Sequence, residues 1–297
     1  MQQALTLAIP NWNGARFLAD TLKSLELNSP NVRWWFQDCC STDESVAIAM
    51  SFATEHDTIV SEPDTGQPDA LNRAFRKMGG EIVGFLNSDD CLLQGAAESV
   101  LEAFEREPYI DLVYGDIEII NEAGSVVRLH SGDIQSLSEV LNIYEVWWNH
   151  RQWVQPEVFW RRSLADRVGE FNPELDLVFD YEYWVRCFLS GAKVRKIPRV
   201  LSRFRLHAGQ KSSRSAQAAR EIRTVVAKTL AGNPSIPAAD ARRLRLMLSY
   251  DTYQAGDHTL ESGRRPAFGA MLLRNPLWLS LEPVRSRLAR SLRSRVR

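Results

Sequence analysis

Short apolar strands alternate with amphipathic helical segments over the first hundred residues, and this alternation limits the fold more than any other feature. The apolar runs cover residues 5–9, 32–37, 58–61 and 82–86. Each is followed by a segment whose apolar residues recur every three or four positions, which is the spacing of one helix face. Strands and helices that alternate in this way predict a parallel sheet with helices on both faces. The chain is therefore expected to have an α/β fold.

Polar residues follow all four of these strands. In sheets of this kind the ligand binds beyond the carboxyl ends of the strands. Side chains that lie far apart in the sequence are therefore expected to line one crevice at that edge of the sheet. They are Pro10, Asn11, Asp38, Asp64, Asp89 and Asp90.

Two adjacent carboxylates, Asp89 and Asp90, stand directly after the apolar run 82–86. Such carboxylates repel each other, and partial burial raises the cost, so the pair needs a cation or several hydrogen-bond donors against it. Mg²⁺ and Mn²⁺ bind carboxylate oxygens and complete their shells with water and phosphate oxygens. The pair therefore predicts a divalent cation that bridges to a diphosphate. The alternative is an acidic helix start, which the helix dipole favours without any ligand.

Charge is distributed unevenly along the chain. Residues 1–213 contain 20 Lys and Arg against 31 Asp and Glu, a net charge of −11, whereas residues 214–297 contain 16 against 6, a net charge of +10. An acidic main body argues against nucleic acid as a ligand, because phosphate backbones are bound by basic patches. The sequence has neither the layout of a secretory signal nor an apolar run long enough to span a bilayer. We therefore expect a cytoplasmic protein, with peripheral attachment to the inner face of the cell membrane left open.

The remaining pattern completes the first body and then changes. A hairpin is expected over residues 112–129, a helix at about 180–190, and strands up to residue 205. From about residue 214 onward the pattern is helical and ends in an Arg-rich stretch.

Seven segments resemble, in order, the landmark segments of bacterial family-2 glycosyltransferases, and they extend from residue 4 to about residue 213. They are LAIPNWNGARFLADTLKSL, QDCCSTDES, SEPDTGQPDALNRAF, GEIVGFLNSDD, QPEVFWRRSLADRVGEFNPEL, DYEYWVR and RFRLHAGQKS. The resemblance implies a GT-A nucleotide-diphospho-sugar transferase fold, with a mostly parallel central sheet flanked by helices. It implies a glycosyltransferase domain over 1–213, made of a nucleotide-binding half (1–110) and an acceptor-side half (111–213). A helical, basic C-terminal extension over 214–297 follows.

By position, the resemblance also implies roles for the residues of the crevice. Pro10 and Asn11 border the nucleotide, and Asp38 accepts a hydrogen bond from the base. A divalent cation, Mn²⁺ or Mg²⁺, is bound by Asp90, with His207 near it. For Asp38 the alternative is a loop cap, and for His207 it is a packed, hydrogen-bonded side chain. The remaining donor-binding residues are Asp64, Asp69, Asn72 and Asp89.

The resemblance also implies transfer with inversion at the sugar carbon. Such a transfer needs a base that takes the proton of the acceptor hydroxyl. The resemblance puts this base at Asp180, which follows an apolar run and precedes a predicted helix, so that a plain helix N-cap is the alternative. On the acceptor side, four tryptophans fall within residues 147–160. Their flat faces suit sugar C–H groups, although core packing is the alternative. The candidates for this side are Trp153, Gln155 and Trp184.

The C-terminal end has a pattern of its own. Pro276 is expected to begin a helix with an apolar stripe on one side and arginines on the others, and a basic amphipathic helix fits an anionic membrane surface through residues 276–297. The alternative is that this helix docks on the acidic first body. The stripe consists of Leu277, Leu281, Val284, Leu288, Leu292 and Val296.

These features together predict an inverting, metal-dependent glycosyltransferase. Its donor is expected to be a nucleotide-diphospho-sugar, with UDP or dTDP favoured, and its acceptor a glycan or lipid-linked hydroxyl in the synthesis of bacterial surface polysaccharide or glycolipid. Two alternatives stay open. A sugar nucleotidyltransferase would carry basic residues after the first strand, where residues 10–14 have none. A non-catalytic nucleotide-sugar-binding scaffold would not need Asp180 in addition to the acidic pair.

Overall fold

The computed structural model describes residues 4–211, 214–234, 236–256 and 267–293. Within these residues the chain forms a nine-stranded sheet, in the order β3-β2-β1-β4-β8-β6-β9-β5, with β7 paired to β6. The strands are β1 (Leu5–Asn11), β2 (Val32–Asp38), β3 (Thr58–Ser61), β4 (Ile82–Phe85), β5 (Cys91–Leu92), β6 (Leu112–Ile120), β7 (Val126–Ser131), β8 (Val158–Arg161) and β9 (Val194–Arg205).

Helices cover the sheet and continue to the C-terminal end. A π-helical turn occupies Ile143–Trp147, and a 3-10 turn occupies Pro276–Ser280. The α-helices are α1 (Ala15–Glu26), α2 (Ser45–Phe52), α3 (Gln67–Lys77), α4 (Ala96–Arg106), α5 (Leu137–Val140), α6 (Arg162–Val168), α7 (Phe179–Leu189), α8 (Ser215–Gly232), α9 (Ala238–Ala255), α10 (Phe268–Arg274) and α11 (Glu282–Arg293).

The first four strands of the sheet order, β3, β2, β1 and β4, are parallel, as predicted. β1 lies inside this group and is buried along its whole length. A strand covered on both faces needs apolar side chains on both, which explains why its sequence is a nearly continuous apolar run. Gly84 of β4 allows close packing with the next strand, since a Cβ there would lie 3.0 Å from Phe159 Cδ1.

The second half of the sheet brings the end of β9 to the end of β4. β8 is antiparallel to both β4 and β6, and the predicted hairpin is formed by β6 and β7. β9 runs parallel to β6 as one strand, where the sequence predicted two. Its last residues pair with the short β5, in the register Cys91 opposite Arg203. Because β5 follows the acidic pair directly, residues 203–207 lie beside that pair.

Two apolar cores lie on opposite faces of the sheet. Successive residues of one strand point into opposite cores, as the two-residue period of a strand requires. Leu7 and Ile9 belong to one core and Ala8 to the other. Helices α1, α2 and α4 cover the first face, and α3, α6 and α7 cover the second. The predicted α/β layering therefore follows from the apolar stripe of each helix.

The C-terminal helices pack on the rest of the described chain. α8 and the start of α9 share the core of α7 through Ile222, Val226 and Leu244. A third, smaller core joins α9 to the following segments, with Tyr250, Trp278 and other buried residues at its centre. The predicted domain boundary at residue 213 lies outside the described residues.

Pro276 does not begin the predicted long helix, because the chain first makes the 3-10 turn Pro276–Ser280 and α11 starts at Glu282. Leu281 and Val284 of the predicted stripe are buried in the third core instead of facing outward. The side chain of Leu292, and Val296, lie outside the described residues. Among the described residues, no helix is long and apolar enough to cross a membrane.

Candidate active site

The carboxyl ends of β1, β2 and β3 lie side by side, as the parallel order predicts. Asn11, the last residue of β1, is in register with Asp38, the last residue of β2, and Asp38 is in register with Ser61 of β3. Pro10 is buried one position earlier in β1. The sheet therefore collects these strand ends at one edge.

Gly14 lets the loop after β1 approach the loop after β4. A Cβ at Gly14 would lie 2.3 Å from Asn11 Oδ1 and 2.7 Å from Ser88 Oγ, so any larger residue would push these side chains apart. Its backbone N–H donates to Ser45 Oγ at 3.0 Å. This glycine thus links three of the segments that surround the crevice.

Asp38 is fully buried and fixes the loop that follows β2. Its oxygens accept hydrogen bonds from Asn11 Nδ2 (2.8 Å), Ser41 N (2.9 Å), Ser41 Oγ (2.5 Å) and Ser61 Oγ (2.7 Å). Burial raises the pKa of Asp38, but these hydrogen bonds outweigh it and hold the pKa below its usual value. A carboxylate offers about four acceptor positions, so none is left for a nucleobase in this arrangement. The geometry favours the loop-cap role.

The loop after β3 is held by two predicted donor-binding residues. Asp64 N donates to the Sγ of the half-buried Cys39 at 3.4 Å, which joins this loop to the end of β2. Asp69 Oδ2 accepts hydrogen bonds from Thr65 N (3.0 Å) and Arg73 Nε (3.1 Å). Burial raises the pKa of Asp69, but the hydrogen bonds from Thr65 and Arg73 lower it by more, so the pKa lies below its usual value. In this structure Asp69 therefore holds the loop that follows β3.

Asn72, predicted to bind the donor, has a different function in this structure. Its Nδ2 donates to Phe171 O and its Oδ1 accepts from Phe171 N, both at 2.8 Å, and the side chain is buried. The amide is occupied on both sides by the backbone and ties α3 to the segment before α7. Spacing alone does not distinguish such a clamp from a ligand contact.

The acidic pair is divided between the interior and the crevice. Asp90 is 1% exposed, and its oxygens accept hydrogen bonds from Arg205 N (3.0 Å) and Asn87 Nδ2 (3.1 Å). Burial and the adjacent Asp89 raise the pKa of Asp90 well above its usual value, against the donors from Arg205 and Asn87. Asp89 keeps 29% of its side chain exposed, and its Oδ2 lies 2.8 Å from His207 Nε2. The outward carboxylate is therefore Asp89 and not Asp90, which was predicted to be the direct metal ligand.

A buried arginine, Arg205, holds the pair in place. The Arg205 side chain is 2% exposed, and its Nε donates to Asp89 O at 2.9 Å. Its other nitrogen atoms donate to Glu122 O and to Asp20 Oδ2, and its guanidinium lies 4.7 Å from the centroid of the Phe17 ring. Arg205 is thus a fixed counter-ion beneath the site rather than a group that reaches into it.

Asn87 is a site residue that the sequence analysis did not single out. It is half-buried directly after β4, and its Oδ1 accepts a hydrogen bond from Gln67 Nε2 at 2.7 Å, while its Nδ2 donates to Asp90. The signal was present, since Asn87 is the first polar residue after an apolar strand.

Asp180 lies in the first turn of α7 and lines a small cavity. Its Oδ1 accepts a hydrogen bond from Tyr181 N at 2.7 Å, but the N-cap of α7 is Val178, so Asp180 does not have the plain N-cap role that was the alternative. Burial raises the pKa of Asp180 from 3.8 to about 6, and the backbone hydrogen bonds oppose this only in part. The other lining residues are Ile134, Val140, Trp147, Trp153, Tyr181 and Trp184.

The predicted acceptor-side residues are more buried than expected. Trp153 and Trp184 are 5% and 3% exposed and stack within an aromatic cluster, so each contributes mainly to the core. Gln155 is also buried, and its Nε2 donates to Phe85 O at 2.6 Å. Trp147 is half-buried, and its Nε1 has no hydrogen-bond partner among the described residues. Trp153 also lines the Asp180 cavity and its Nε1 also lacks a partner among the described residues, so the aromatic wall contains two such indole N–H groups.

Two contacts join the Asp180 cavity to the acidic pair. The ring of Phe179, which precedes Asp180, lies 6.0 Å from the ring of Phe85, which ends β4. Gln155 binds the carbonyl of this same Phe85. Because Asn87 follows two residues later, the cavity and the acidic pair are parts of one region. The Asp180 cavity is thus connected, through Phe179 and Phe85, to the strand end that carries Asp89 and its partner His207.

The family model for glycosyl transferase family 2 matches residues 6–172, more than half of the chain. The chain belongs to this family. The resemblance found in the sequence is confirmed, and the protein is a glycosyltransferase. Among curated relatives, the PGL/p-HBAD biosynthesis glycosyltransferase of Mycobacterium tuberculosis (strain ATCC 25177 / H37Ra) is 29% identical over 202 residues, which cover 66% of this chain and 74% of the relative.

Solved structures show that this family-2 chain has a GT-A-like fold, as predicted. S. aureus TarS 1-349 in complex with UDP-GlcNAc is similar with a TM-score of 0.67 and 14% identity, over 85% of this chain and 73% of that chain. The mannosyltransferase PcManGT from Pyrobaculum calidifontis, in complex with GDP-Man and Mn²⁺, is similar with a TM-score of 0.59 and 16% identity, over 96% of this chain and 83% of that chain. At these identities the similarity concerns the fold alone.

Proposed function

We propose that this glycosyltransferase moves a sugar, with inversion, from a nucleotide-diphospho-sugar to a hydroxyl group of a glycan or lipid-linked acceptor, with a divalent cation as cofactor. The donor is a UDP- or dTDP-sugar, and the product belongs to a bacterial surface polysaccharide or glycolipid. The observation that carries the proposal is the arrangement of Asp89 and His207 on the crevice side, in one region with the Asp180 cavity. The catalytic domain is residues 1–213, with 214–297 as an appended helical region.

The chemistry of Asp89 and His207 fits a divalent cation. A carboxylate oxygen and an imidazole nitrogen lie 2.8 Å apart with both side chains partly exposed, so a cation can replace the proton between them. No group of three or more His, Cys, Asp and Glu side chains suited to a metal occurs among the described residues, so water and diphosphate oxygens have to complete the shell. The nitrogen favours Mn²⁺ over Mg²⁺, which prefers oxygen ligands. When bound, the cation would neutralise charge on the departing diphosphate.

Asp180 supplies the base in this proposal. As the acceptor oxygen attacks the anomeric carbon, the bond from that carbon to the diphosphate breaks and the hydroxyl proton passes to the Asp180 carboxylate. A pKa of about 6 supports this role, because the group is ionised at neutral pH and is still basic enough to accept a proton. The cavity walls shield the carboxylate from part of the solvent, and Trp147, whose Nε1 has no hydrogen-bond partner among the described residues, belongs to the same lining.

The remaining predicted residues act around the donor in this proposal. Pro10 and Asn11 border the nucleotide at the end of β1, and Asp64 with Cys39 forms the edge of the base pocket. Asp38 orients Asn11 and Ser41 from below, because its oxygens are occupied. Asp90 holds Asn87 and the backbone of Arg205 and leaves metal binding to its neighbour.

A donor panel tests the enzyme class. The full chain is incubated with Mn²⁺ and with UDP-, dTDP- and GDP-sugars, and released nucleoside diphosphate is measured. Slow hydrolysis of one donor, dependent on Mn²⁺, is the expected result. Absence of both binding and hydrolysis across the panel would contradict the proposal.

Two variants divide the roles within the site. Asp180→Asn is expected to abolish transfer while donor binding stays within about twofold, because the base does not touch the donor. Asp89→Asn is expected to weaken Mn²⁺-dependent donor binding itself. Asp176→Asn is the matched control: it removes a carboxylate from the same segment, whose partners are Lys211 and Arg214 and not the cavity. Normal transfer by Asp180→Asn would show that another residue is the base.

A further inference from the structure

Three leucines near the C-terminal end face outward on a segment that is otherwise anchored in the third core. Leu273 is 86% exposed, Leu277 49% and Leu279 48%. They lie within seven residues at the end of α10 and in the 3-10 turn, a segment called the leucine turn below (residues 273–279). We propose that the leucine turn is the surface through which this glycosyltransferase docks on an anionic lipid membrane.

The local geometry fixes the outward direction of these side chains. Met271 of α10 is buried in the third core, and Leu273 follows two positions later, about 200° around the helix, on the opposite side. In the 3-10 turn, Trp278 is 1% exposed and its Nε1 donates to Ser249 Oγ of α9 at 2.7 Å. Since residues of such a turn are about 120° apart, the neighbours of the anchored Trp278 point to the outer half. Leu277 and Leu279 are these neighbours.

Positive charge surrounds the leucine turn. Residues 267–293 contain five Arg and a single acidic residue, Glu282. Arg285 Nη1 donates to Ser280 O at 2.7 Å, so its guanidinium lies directly against the end of the turn. Arg274 and Arg290 are exposed in the flanking helices. Apolar side chains bordered by arginines are complementary to a surface with anionic headgroups above acyl chains.

This surface differs from the stripe that the sequence indicated. Leu281 and Val284 of that stripe are buried in the third core and cannot reach a membrane. Only Leu277 belongs to both sets. The membrane contact proposed here is therefore the leucine turn, which the helices of the third core hold in place. Helix α11 contributes arginines to this contact and not its apolar face.

A membrane accounts for the turn better than a second copy of the chain. The arginines around the turn would repel their own equivalents across a symmetric interface, whereas anionic lipid attracts them. The inference rests on the proposed function in one respect, namely that a lipid-linked acceptor requires the enzyme at a membrane surface. Lipid binding itself requires neither donor nor cation, so it can be tested separately.

The test is cosedimentation of the full chain with vesicles, in the absence of donor and Mn²⁺. One set is phosphatidylcholine alone, and the other is an equimolar mixture of phosphatidylcholine and phosphatidylglycerol. The full chain is expected to bind the anionic set at least about tenfold more strongly, since each arginine near the surface contributes about fivefold. The triple variant Leu273→Ser, Leu277→Ser, Leu279→Ser is expected to lose binding to the anionic set by at least about tenfold.

A matched control substitutes three apolar residues of similar exposure elsewhere on the surface. Leu27→Ser, Val127→Ser and Leu129→Ser change side chains that are 54%, 57% and 57% exposed, and should leave vesicle binding unchanged. Unchanged urea unfolding midpoints show that both variants fold, without reference to the donor. Failure of the full chain to bind the anionic vesicles, or equal binding by the two triple variants, would overturn the proposal. A dimer that the leucine-turn variant abolishes would also overturn it and would identify a second copy as the occupant.

Discussion

Replacing Asp180 by Asn is expected to stabilise the protein while it removes transfer activity. The carboxylate is desolvated by its aromatic surroundings, and this raises its pKa from 3.8 to about 6. A raised pKa in an acid means that the folded state holds its proton more tightly than the unfolded state. Above pH 6 the ionised carboxylate therefore lowers the free energy of unfolding.

The size of this cost follows from the shift in pKa. Each pKa unit corresponds to about 1.4 kcal/mol, so a shift of about two units costs up to about 3 kcal/mol at pH 8. Partial contact of Asp180 with solvent reduces the expected gain to about 1–3 kcal/mol. Asn has nearly the same shape and can still accept the hydrogen bond from Tyr181 N, so the gain is not offset by a lost hydrogen bond.

The pH dependence of this gain separates it from an ordinary change in packing. Urea titrations of both proteins give the free energies of unfolding at a series of pH values. The advantage of Asp180→Asn should be full at pH 8 and should decline below pH 6. It should approach zero near pH 3, which lies below the pKa of Asp180 in both the folded and the unfolded wild type.

Asp176→Asn serves as the control with the opposite sign. Lys211 and Arg214 lower the pKa of Asp176, with burial opposing them, so its ionised form is favoured by folding. Because this carboxylate is 42% exposed, its removal is expected to cost less than about 1 kcal/mol at pH 8. A lower free energy of unfolding for Asp180→Asn at pH 8, or a gain that does not change with pH, would refute the assignment of Asp180 as a desolvated base.

Four further results are expected. Transfer by the wild type should fall about tenfold per pH unit below pH 6, in a kcat/KM profile, as Asp180 is protonated. Asp89→Ala should weaken Mn²⁺-dependent donor binding at least about tenfold by calorimetry, with little change in unfolding, because its side chain is outward. Asp90→Ala should lower the free energy of unfolding by at least about 2 kcal/mol in urea, since a buried N–H of Arg205 loses its acceptor. Asn72→Ala should cost about 2–4 kcal/mol in the same assay, with unchanged donor affinity of the folded fraction, because two buried backbone groups lose their partners.

Much of the fold could be predicted because the apolar pattern of each strand and helix agrees with its position in the sheet or on one of its faces. A strand such as Leu5–Asn11 is apolar on both faces, and this specifies its place inside a helix-covered parallel sheet. The parallel order then specifies which strand ends meet, so that the sequence alone predicts that Asn11 and Asp38 lie together. The C-terminal helix was harder, because apolar spacing shows that a face is buried or bound but not by what. Leu281 and Val284 are buried by α9 and not by lipid.

The site residues were less predictable than the fold, because residue type does not reveal how many partners a polar group already has. Asp38 and Asn72 are of the right type and stand near the right loops, yet the protein itself uses their hydrogen-bonding capacity. Trp153 and Trp184 were plausible sugar platforms and are mainly core residues. In each case the deciding contact comes from a residue distant in sequence, such as Phe171 for Asn72, and spacing carries no information about it.

The fold reduces the repulsion between the carboxylates of Asp89 and Asp90, which the sequence showed only as two adjacent acidic residues. Two like charges after one strand are tolerated because the backbone turns one of them inward, where Arg205 and Asn87 donate to it, and the other outward, beside His207. The buried guanidinium of Arg205 also holds the carbonyl of Asp89 at 2.9 Å and so fixes the direction of the outward carboxylate. One carboxylate is thus retained as part of the framework, and the other keeps its lone pairs for a ligand. In the proposed site, an adjacent acidic pair at a strand end therefore needs only one residue for metal binding, and burial decides which of the two it is.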